Sequence, residues 1–108
     1  MVSEHVHLQD VETRLMDAKT YVAELNKTLG TDYVLVDGFR FPERIVIATP
    51  EYAKLDEAGR SHESKWIELP PLEVPKGTIF RDMLKLLTEQ LKGRRGEAQA
   101  YVQSVKRI

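Results

Sequence analysis

The feature that most constrains the fold of this chain is an uninterrupted apolar repeat near its start. Between residues 8 and 29, apolar residues recur at alternating intervals of three and four, without Gly or Pro. This spacing places them on one face of an α-helix. Gly30 is a typical helix stop. We therefore predict a helix over residues 8–29, about 33 Å long, preceded by a flexible segment, residues 1–7. The repeat consists of Leu8, Val11, Leu15, Ala18, Val22, Leu25 and Leu29.

The repeat could pack inside its own domain or against another chain. In a parallel homodimeric coiled coil, Arg14 would face Lys19 of the second copy, which is a like-charge contact. Packing inside the domain is therefore favoured. Strands of ordinary length cover only about 17 to 20 Å, so the helix should overhang its sheet. The overhanging apolar stripe needs a cover, which is either the final helix or another chain, that is, another protein or a second copy. The predicted partner-binding residues are Leu8, Val11, Leu15, Ala18 and Val22.

Two segments rich in β-branched residues follow the first helix. Residues 33–37 and 44–48, separated by a connection with the sequence FRFPE, predict two paired strands. Residues 50–65 fit either a short helix that begins at Pro50 or a hairpin with a strand over residues 52–55, and the hairpin is slightly favoured. Residues 66–69 predict a third strand, because the prolines at 70 and 71 cannot donate to a sheet.

The C-terminal third predicts helices. LEVPKG is interpreted as a linker to Thr78, which would cap a helix over residues 79–92. A second helix after Gly93 makes residues 93–108 a C-terminal helical extension. The order α-β-β-β-α-α predicts one α+β domain, residues 1–108, with a small antiparallel three-stranded sheet and helices on one face. This layout resembles that of double-stranded-RNA-binding domains. Their loop histidine and lysine cluster are replaced here by DGFRFPER and KGTIFRD, so the resemblance implies layout only.

Composition excludes several classes of function. The chain has no cysteine, which excludes thiol catalysis, disulfides and cysteine-based zinc sites. It shows no signal-peptide pattern and no apolar run long enough to span a bilayer. We therefore predict a cytoplasmic protein with no membrane partner. The formal charge of −1 divides into about −6 for residues 1–75 and about +5 for residues 76–108.

The basic residues suggest an alternative function. Arginine beside aromatic rings suits contact with phosphates and bases, and Arg40 and Arg44 alternate with Phe39 and Phe41. The pI of about 6.3 is lower than that of most nucleic-acid-binding domains, and Phe39 and Phe41 also suit core positions. The predicted nucleic-acid-binding residues are Arg40, Arg44, Lys92, Arg94, Arg95, Lys106 and Arg107.

No catalytic or metal-binding constellation emerges from the titratable residues. His5 and His7 have a spacing that could bind a metal on an extended chain, but no third ligand lies nearby. His62 and Glu63 form a dipeptide without an assignable nucleophile. Phosphate-binding glycine motifs are absent. The sequence therefore predicts no cofactor and no metal, and a non-enzymatic interaction or adaptor module. The alternative is a nucleic-acid-binding accessory protein that uses the basic C-terminal third and the FRFPER loop.

Overall fold

The computed structural model describes residues 2–56, 65–94 and 99–108, with side chains for residues 12–54, 65–94 and 99–108. Its elements are α1 (Val2–Leu29), β1 (Val34–Asp37), β2 (Arg44–Ala48), α2 (Pro50–Asp56), β3 (Ile67–Glu68), β4 (Leu72–Val74), α3 (Phe80–Leu91) and β5 (Ala100–Arg107). The class is α+β, as predicted. α1 extends further toward the N-terminus than the predicted start at Leu8, and it ends at Gly30, which has a φ of +67°.

The strands form one five-stranded sheet with β5 near its middle. On one side, β5 pairs antiparallel with β2, which in turn pairs antiparallel with β1. On its other side, β5 pairs in parallel with β3 and then with β4. Pro70 and Pro71 lie between these two short strands, where their missing N–H groups interrupt the ladder.

The prediction of a small antiparallel three-stranded sheet was wrong, because β5 replaces the predicted final helix. The segment AYVQSVKR presents apolar residues at both helical and alternating spacings, and short apolar runs do not distinguish the two. Its β-branched and aromatic residues suit a central strand that is covered on both faces. With a strand in that place, the resemblance in layout to double-stranded-RNA-binding domains no longer holds.

Two further segments differ from the prediction. Residues 50–56 form helix α2 rather than a hairpin strand, and Pro50 occupies its first position, where a missing N–H costs nothing. The predicted linker contains β4, whose residues pair with the end of β5. α3 begins after Ile79 instead of at a Thr78 cap, and no side chain caps it.

α1 and α3 pack against one face of the sheet. Alternate residues of β2 and β5, including Ile45, Ile47 and Tyr101, enter the core cluster with them. The buried Gln103 joins both helices to this face. Its side-chain oxygen accepts a 2.6 Å hydrogen bond from the Tyr21 hydroxyl, and its Nε2 donates to the Leu87 carbonyl at 2.8 Å. We call this the helix face of the sheet.

The alternating residues of the same strands lie on the opposite face. They are buried but outside the core cluster, and Arg44 belongs to the same row of β2 because it lies two residues before Val46. Leu69, which follows β3, enters the helix-face cluster, whereas Trp66, which precedes β3, lines a pocket together with Arg44. We call this opposite face the open face because a cleft described below opens on it, although its apolar residues are themselves covered. Its buried members are Val46, Ala48, Ala100 and Val102.

Candidate functional site

Helix α1 is divided between a half that lies in the core and a half that extends past it. Leu15 is partly exposed and outside the core cluster, and Met16 is 68 % exposed. We call residues 2–17 the N-terminal half of α1 and residues 18–29 its C-terminal half. The buried residues of the C-terminal half are Ala18, Tyr21, Val22 and Leu25.

This division sorts the residues predicted to bind a partner. Ala18 and Val22 are buried in the chain's own core, so they are not available to another molecule. Leu15 is the predicted residue with a described side chain that is left at the surface. The backbone is helical through Leu8 and Val11, whose side chains lie outside the described part. The repeat therefore continues N-terminal to Ala18, where Leu15, Val11 and Leu8 keep the same helical spacing.

A second candidate surface is an open cleft on the open face. Its volume is about 460 Å³, within the range of about 300 to 1,000 Å³ that is common for ligand sites. We call it the arginine cleft. It is lined by Asp37, Phe39, Arg40, Arg44 and Trp66. Two predicted nucleic-acid-binding residues, Arg40 and Arg44, are thus brought together.

A β-bulge in β1 places Asp37 in the cleft. Leu35 pairs with Ile47, but Asp37 pairs with Val46, so one extra residue lies between these two pairings. Leu35 packs against the helix-face cluster. Without the bulge, Asp37 would lie on that same face, two residues further along. The bulge turns it to the open face instead, where its Oδ2 accepts a 3.1 Å hydrogen bond from Arg44 Nη1.

The β1–β2 connection carries two of the cleft residues and is held in place by local hydrogen bonds and by a contact with the core. The Phe39 N–H donates to Asp37 Oδ1, and the Arg44 N–H donates to the Arg40 carbonyl. Phe41 is fully buried and stacks on Tyr21 with ring centroids 5.4 Å apart. Phe41 is therefore a core anchor, whereas Phe39, its neighbour two positions earlier, is 60 % exposed.

The cleft is locally positive. Arg44 is paired with Asp37, whereas the guanidinium of Arg40 makes no hydrogen bond or ion pair with the residues that the structure describes. The strand register adds a third cation to the same face. Arg44 pairs with Ser104, so Lys106 is its diagonal neighbour on β5, with the two Cα atoms roughly 7 to 8 Å apart.

The other predicted basic residues are dispersed. Arg94 follows α3, and its carbonyl accepts a 3.3 Å hydrogen bond from the Tyr33 hydroxyl, near the start of β1. Arg107 lies at the C-terminal end of β5, about 23 Å along the strand from Ala100. Its side chain donates to the Lys76 carbonyl. Lys92 pairs with Glu89 at 2.9 Å. A single basic patch over the C-terminal third is therefore not formed by these residues, and Arg95 lies outside the described residues.

The histidines and acidic residues that the sequence suggested as metal ligands or catalytic groups form no further site among the described residues. Residues 5 and 7 lie on a helix, where positions two apart do not face each other. The sequence argument for a shared metal depended on an extended chain. His62 and Glu63 lie outside the described residues, as does Glu57 beside Asp56. Among the residues that are described, no group of three or more His, Cys, Asp or Glu side chains is close enough to hold a metal ion.

Trp66 is the cleft residue that sequence reasoning missed as a site residue. Its Nε1 is buried and has no acceptor among the described residues, which is uncommon for a buried donor. The sequence signal was slight: it is the single Trp of the chain, placed just before a two-residue strand. Trp66 lines the same cleft as Arg44 because β3 pairs in parallel with β5, and no local pattern predicts that pairing.

Two tyrosines on the helix face have perturbed acidities. Burial raises the pKa of Tyr21, and its hydrogen bond to Gln103 lowers it by less. Burial also raises the pKa of Tyr33, as does the nearby Tyr101, and the charge of Arg94 opposes both effects. Neither phenol lines the arginine cleft. The raised pKa values therefore belong to the core rather than to a reactive centre.

None of the described helices combines the length and the apolar character that crossing a membrane requires. Comparison of the chain with protein-family models, with curated proteins and with solved structures yields no match.

Proposed function

We propose that this chain is a non-enzymatic interaction module that binds another protein through the N-terminal half of α1. One observation carries the proposal: in the part of α1 whose side chains the structure describes, residues 12–29, burial begins at Ala18, and the helix backbone extends back to Val2. The whole helix has 28 residues and is about 42 Å long, close to the longest dimension of the molecule, 43 Å. About 24 Å of it precedes Ala18.

The apolar repeat gives this extension its binding character. Leu8, Val11 and Leu15 continue the spacing of the residues that are buried in the C-terminal half. Apolar residues at three- and four-residue intervals are the pattern by which one amphipathic helix binds another, or a groove. In the C-terminal half, these apolar residues pack against the chain's own sheet. In the N-terminal half, they bind the partner.

The charge of the extension favours a basic partner over a second copy. Residues 2–17 contain four carboxylates, those of Glu4, Asp10, Glu12 and Asp17, against one arginine, Arg14. Two such segments would repel each other, since like charges across a helix pair are unfavourable. A partner helix or groove with an apolar stripe flanked by Lys or Arg complements the segment in both respects.

The test compares two aspartate variants that differ by one position. The full chain and its Leu15→Asp and Met16→Asp variants are immobilised, and binding proteins are captured from cells that express the chain. A captured protein is then purified, and its Kd is measured for each variant. Leu15→Asp is expected to weaken binding by about 100-fold or more. Met16→Asp carries the same charge change on the exposed side and is expected to preserve binding within about threefold.

The Kd of the Leu15→Asp variant can also contradict the proposal. If a purified binding protein has the same Kd for Leu15→Asp as for the unaltered chain, the N-terminal half of α1 is not its binding surface. Sedimentation at two protein concentrations tests the second copy. A dimer that Leu15→Asp dissociates and Met16→Asp preserves would replace the basic partner by self-association.

A further inference from the structure

We infer that the arginine cleft binds a nucleotide: an aromatic base joined to a single phosphate. This site is separate from the N-terminal half of α1, because the cleft lies on the open face and is lined by residues of β1, β2, their connection and the segment before β3. The inference does not depend on the proposed function. It rests on four features of the cleft: its free cation, its two aromatic walls, its polar groups and its rigidity.

The free cation supplies the phosphate contact. Arg40 is exposed and has no carboxylate partner among the described residues, whereas Arg44 is paired with Asp37 at 3.1 Å. A guanidinium presents a planar fork of donors that matches two phosphate oxygens. The cleft lining has two cations and one anion, a net charge of +1 that suits one phosphate better than a polyphosphate.

Two aromatic side chains supply the walls for a base. Phe39 is 60 % exposed, which is unusual for a large apolar ring in a loop that buries Phe41 two residues later. Trp66 reaches the cleft from a different element, ahead of β3. Aromatic rings beside an arginine stack on nucleobases with little regard to base identity.

The polar groups of the cleft fit the edges of a nucleoside. The Asp37 carboxylate can accept hydrogen bonds from a base amino group or from ribose hydroxyls. Trp66 contributes a buried indole N–H without an acceptor among the described residues. A bound ligand that shifts this ring by a small amount would give the N–H a partner.

The cleft is also held in place before a ligand arrives. The bulge in β1 turns Asp37 to the open face, and Asp37 binds both the Phe39 N–H and the Arg44 side chain. Phe41 fixes the connection to the core through Tyr21. Phe39 and Arg40 are therefore presented on a braced connection, which reduces the entropy lost on binding.

The single Trp of the chain gives the test a built-in reporter. The full-length protein is titrated with AMP, GMP, CMP and UMP, and the fluorescence of Trp66 is followed with excitation at the red edge of its absorption. Adenosine and inorganic phosphate are titrated in parallel, and calorimetry repeats each measurement. We expect a saturable change with at least one mononucleotide, and affinities at least tenfold weaker for adenosine and for phosphate.

Variants locate the binding site. Arg40→Ala is expected to weaken the best mononucleotide at least tenfold, because it removes the phosphate contact. Phe39→Ala is expected to weaken it about five- to tenfold. Arg81→Ala removes an exposed arginine of α3 and is the charge-matched control, with an unchanged Kd. Circular dichroism of each variant confirms that the fold is retained.

A short single-stranded oligonucleotide distinguishes the two sources of a nucleotide. If an oligothymidylate binds at least tenfold tighter than any mononucleotide and loses this affinity in Arg40→Ala, the ligand is a nucleotide within a strand. If mononucleotides bind as tightly, the ligand is the free molecule. The inference is overturned if no mononucleotide or oligonucleotide saturates at millimolar concentration, if phosphate binds as tightly as AMP, or if Arg40→Ala and Arg81→Ala behave alike.

Discussion

The two halves of α1 share one repeat but occupy different environments. In the C-terminal half, the repeat fills a core of aromatic and aliphatic side chains, and Tyr21 and Asn26 add hydrogen bonds to β5 and to the start of β1. In the N-terminal half, the same spacing continues, and none of the side chains described there, those of residues 12–17, is buried. The comparison teaches that an apolar repeat predicts which face of a helix is apolar, whereas the sheet beneath it determines how much of that face is buried.

The largest expected effect compares one leucine from each half. Leu25 is 1 % exposed, so Leu25→Ala removes buried methyl groups and leaves a cavity, at a cost of about 2 to 5 kcal/mol in the free energy of unfolding. Leu15→Ala should cost about 1 kcal/mol or less, since Leu15 lies outside the core cluster. Urea unfolding at one protein concentration measures both. Equal losses would show that the core extends into the N-terminal half and would remove the distinction between them.

The next effect concerns the point where the two halves of α1 meet. A Cβ added at Gly38 would lie 2.7 Å from the Ala18 Cβ, closer than packed atoms tolerate. Gly38→Ala should therefore cost about 1 to 3 kcal/mol, because α1 must move away from the β1–β2 connection. Thermal or urea unfolding gives the value.

Two controls make this test specific. Gly77→Ala adds the same methyl group where no atom lies within 4 Å and should change stability by less than about 1 kcal/mol. Ala18→Gly costs about 1 kcal/mol as a helix substitution, but it removes the atom that Gly38→Ala meets. The penalty of Gly38→Ala should therefore be smaller in the Ala18→Gly background, and an unchanged penalty would show that this contact does not limit the approach of α1.

The C-terminal half also contains a buried polar pair, Tyr21 and Gln103. Tyr21→Phe removes the 2.6 Å hydrogen bond and leaves Gln103 Oε1 without its donor. We expect a loss of about 1 to 2 kcal/mol at neutral pH. Tyr33→Phe, which removes a longer, part-buried hydrogen bond of 3.3 Å to the Arg94 carbonyl, is the comparison variant and should cost less. Equal losses would show that the buried pair contributes no more than this longer bond.

The same tyrosine should make stability depend on alkaline pH. Burial raises the pKa of Tyr21 in the folded state, so above about pH 10 the unfolded chain loses the phenolic proton first. The unfolded state then binds fewer protons, and the free energy of unfolding falls with pH, by about 1.4 kcal/mol per pH unit for this group. Below pH 10 the contribution is fully present. Tyr21→Phe should flatten this slope, and an unchanged slope would assign it to other groups.

Local patterns predicted the elements that depend on local residues. The two strands at residues 34–37 and 44–48 and helix α3 were predicted within one residue at each end, and the first helix was predicted with its end correct but its start six residues too late. Their apolar spacing and glycine stops lie within the segments themselves. β5 was missed because its strand character depends on neighbours far away in the sequence. It pairs with β2 on one side and with β3 and β4 on the other, and no local signal specifies those registers.

The arginine cleft shows the same limit at the level of a site. Arg40, Arg44 and Phe39 were identifiable because arginine and aromatic residues alternate in one short connection. Asp37 and Trp66 were not, since the bulge that turns Asp37 to the open face and the parallel pairing that brings Trp66 near it are both consequences of strand register. Residue types indicate a candidate chemistry, but register determines which side chains share a face.

The smallest expected effect concerns an ion pair at the start of the core. Arg14, in the N-terminal half of α1, lies 3.3 Å from Glu43 in the β1–β2 connection, and both side chains are more than a third exposed. Exposed pairs of this kind contribute about 0.2 to 1 kcal/mol, so Glu43→Gln should lower the free energy of unfolding by about 0.5 kcal/mol at most. Glu89→Gln, which breaks the exposed pair with Lys92, is the matched control. A substantially larger loss for Glu43→Gln, together with faster amide exchange in residues 14–17, would mean that the N-terminal half is docked through Glu43. The boundary between the two halves of α1 would then lie closer to the N-terminus than Ala18.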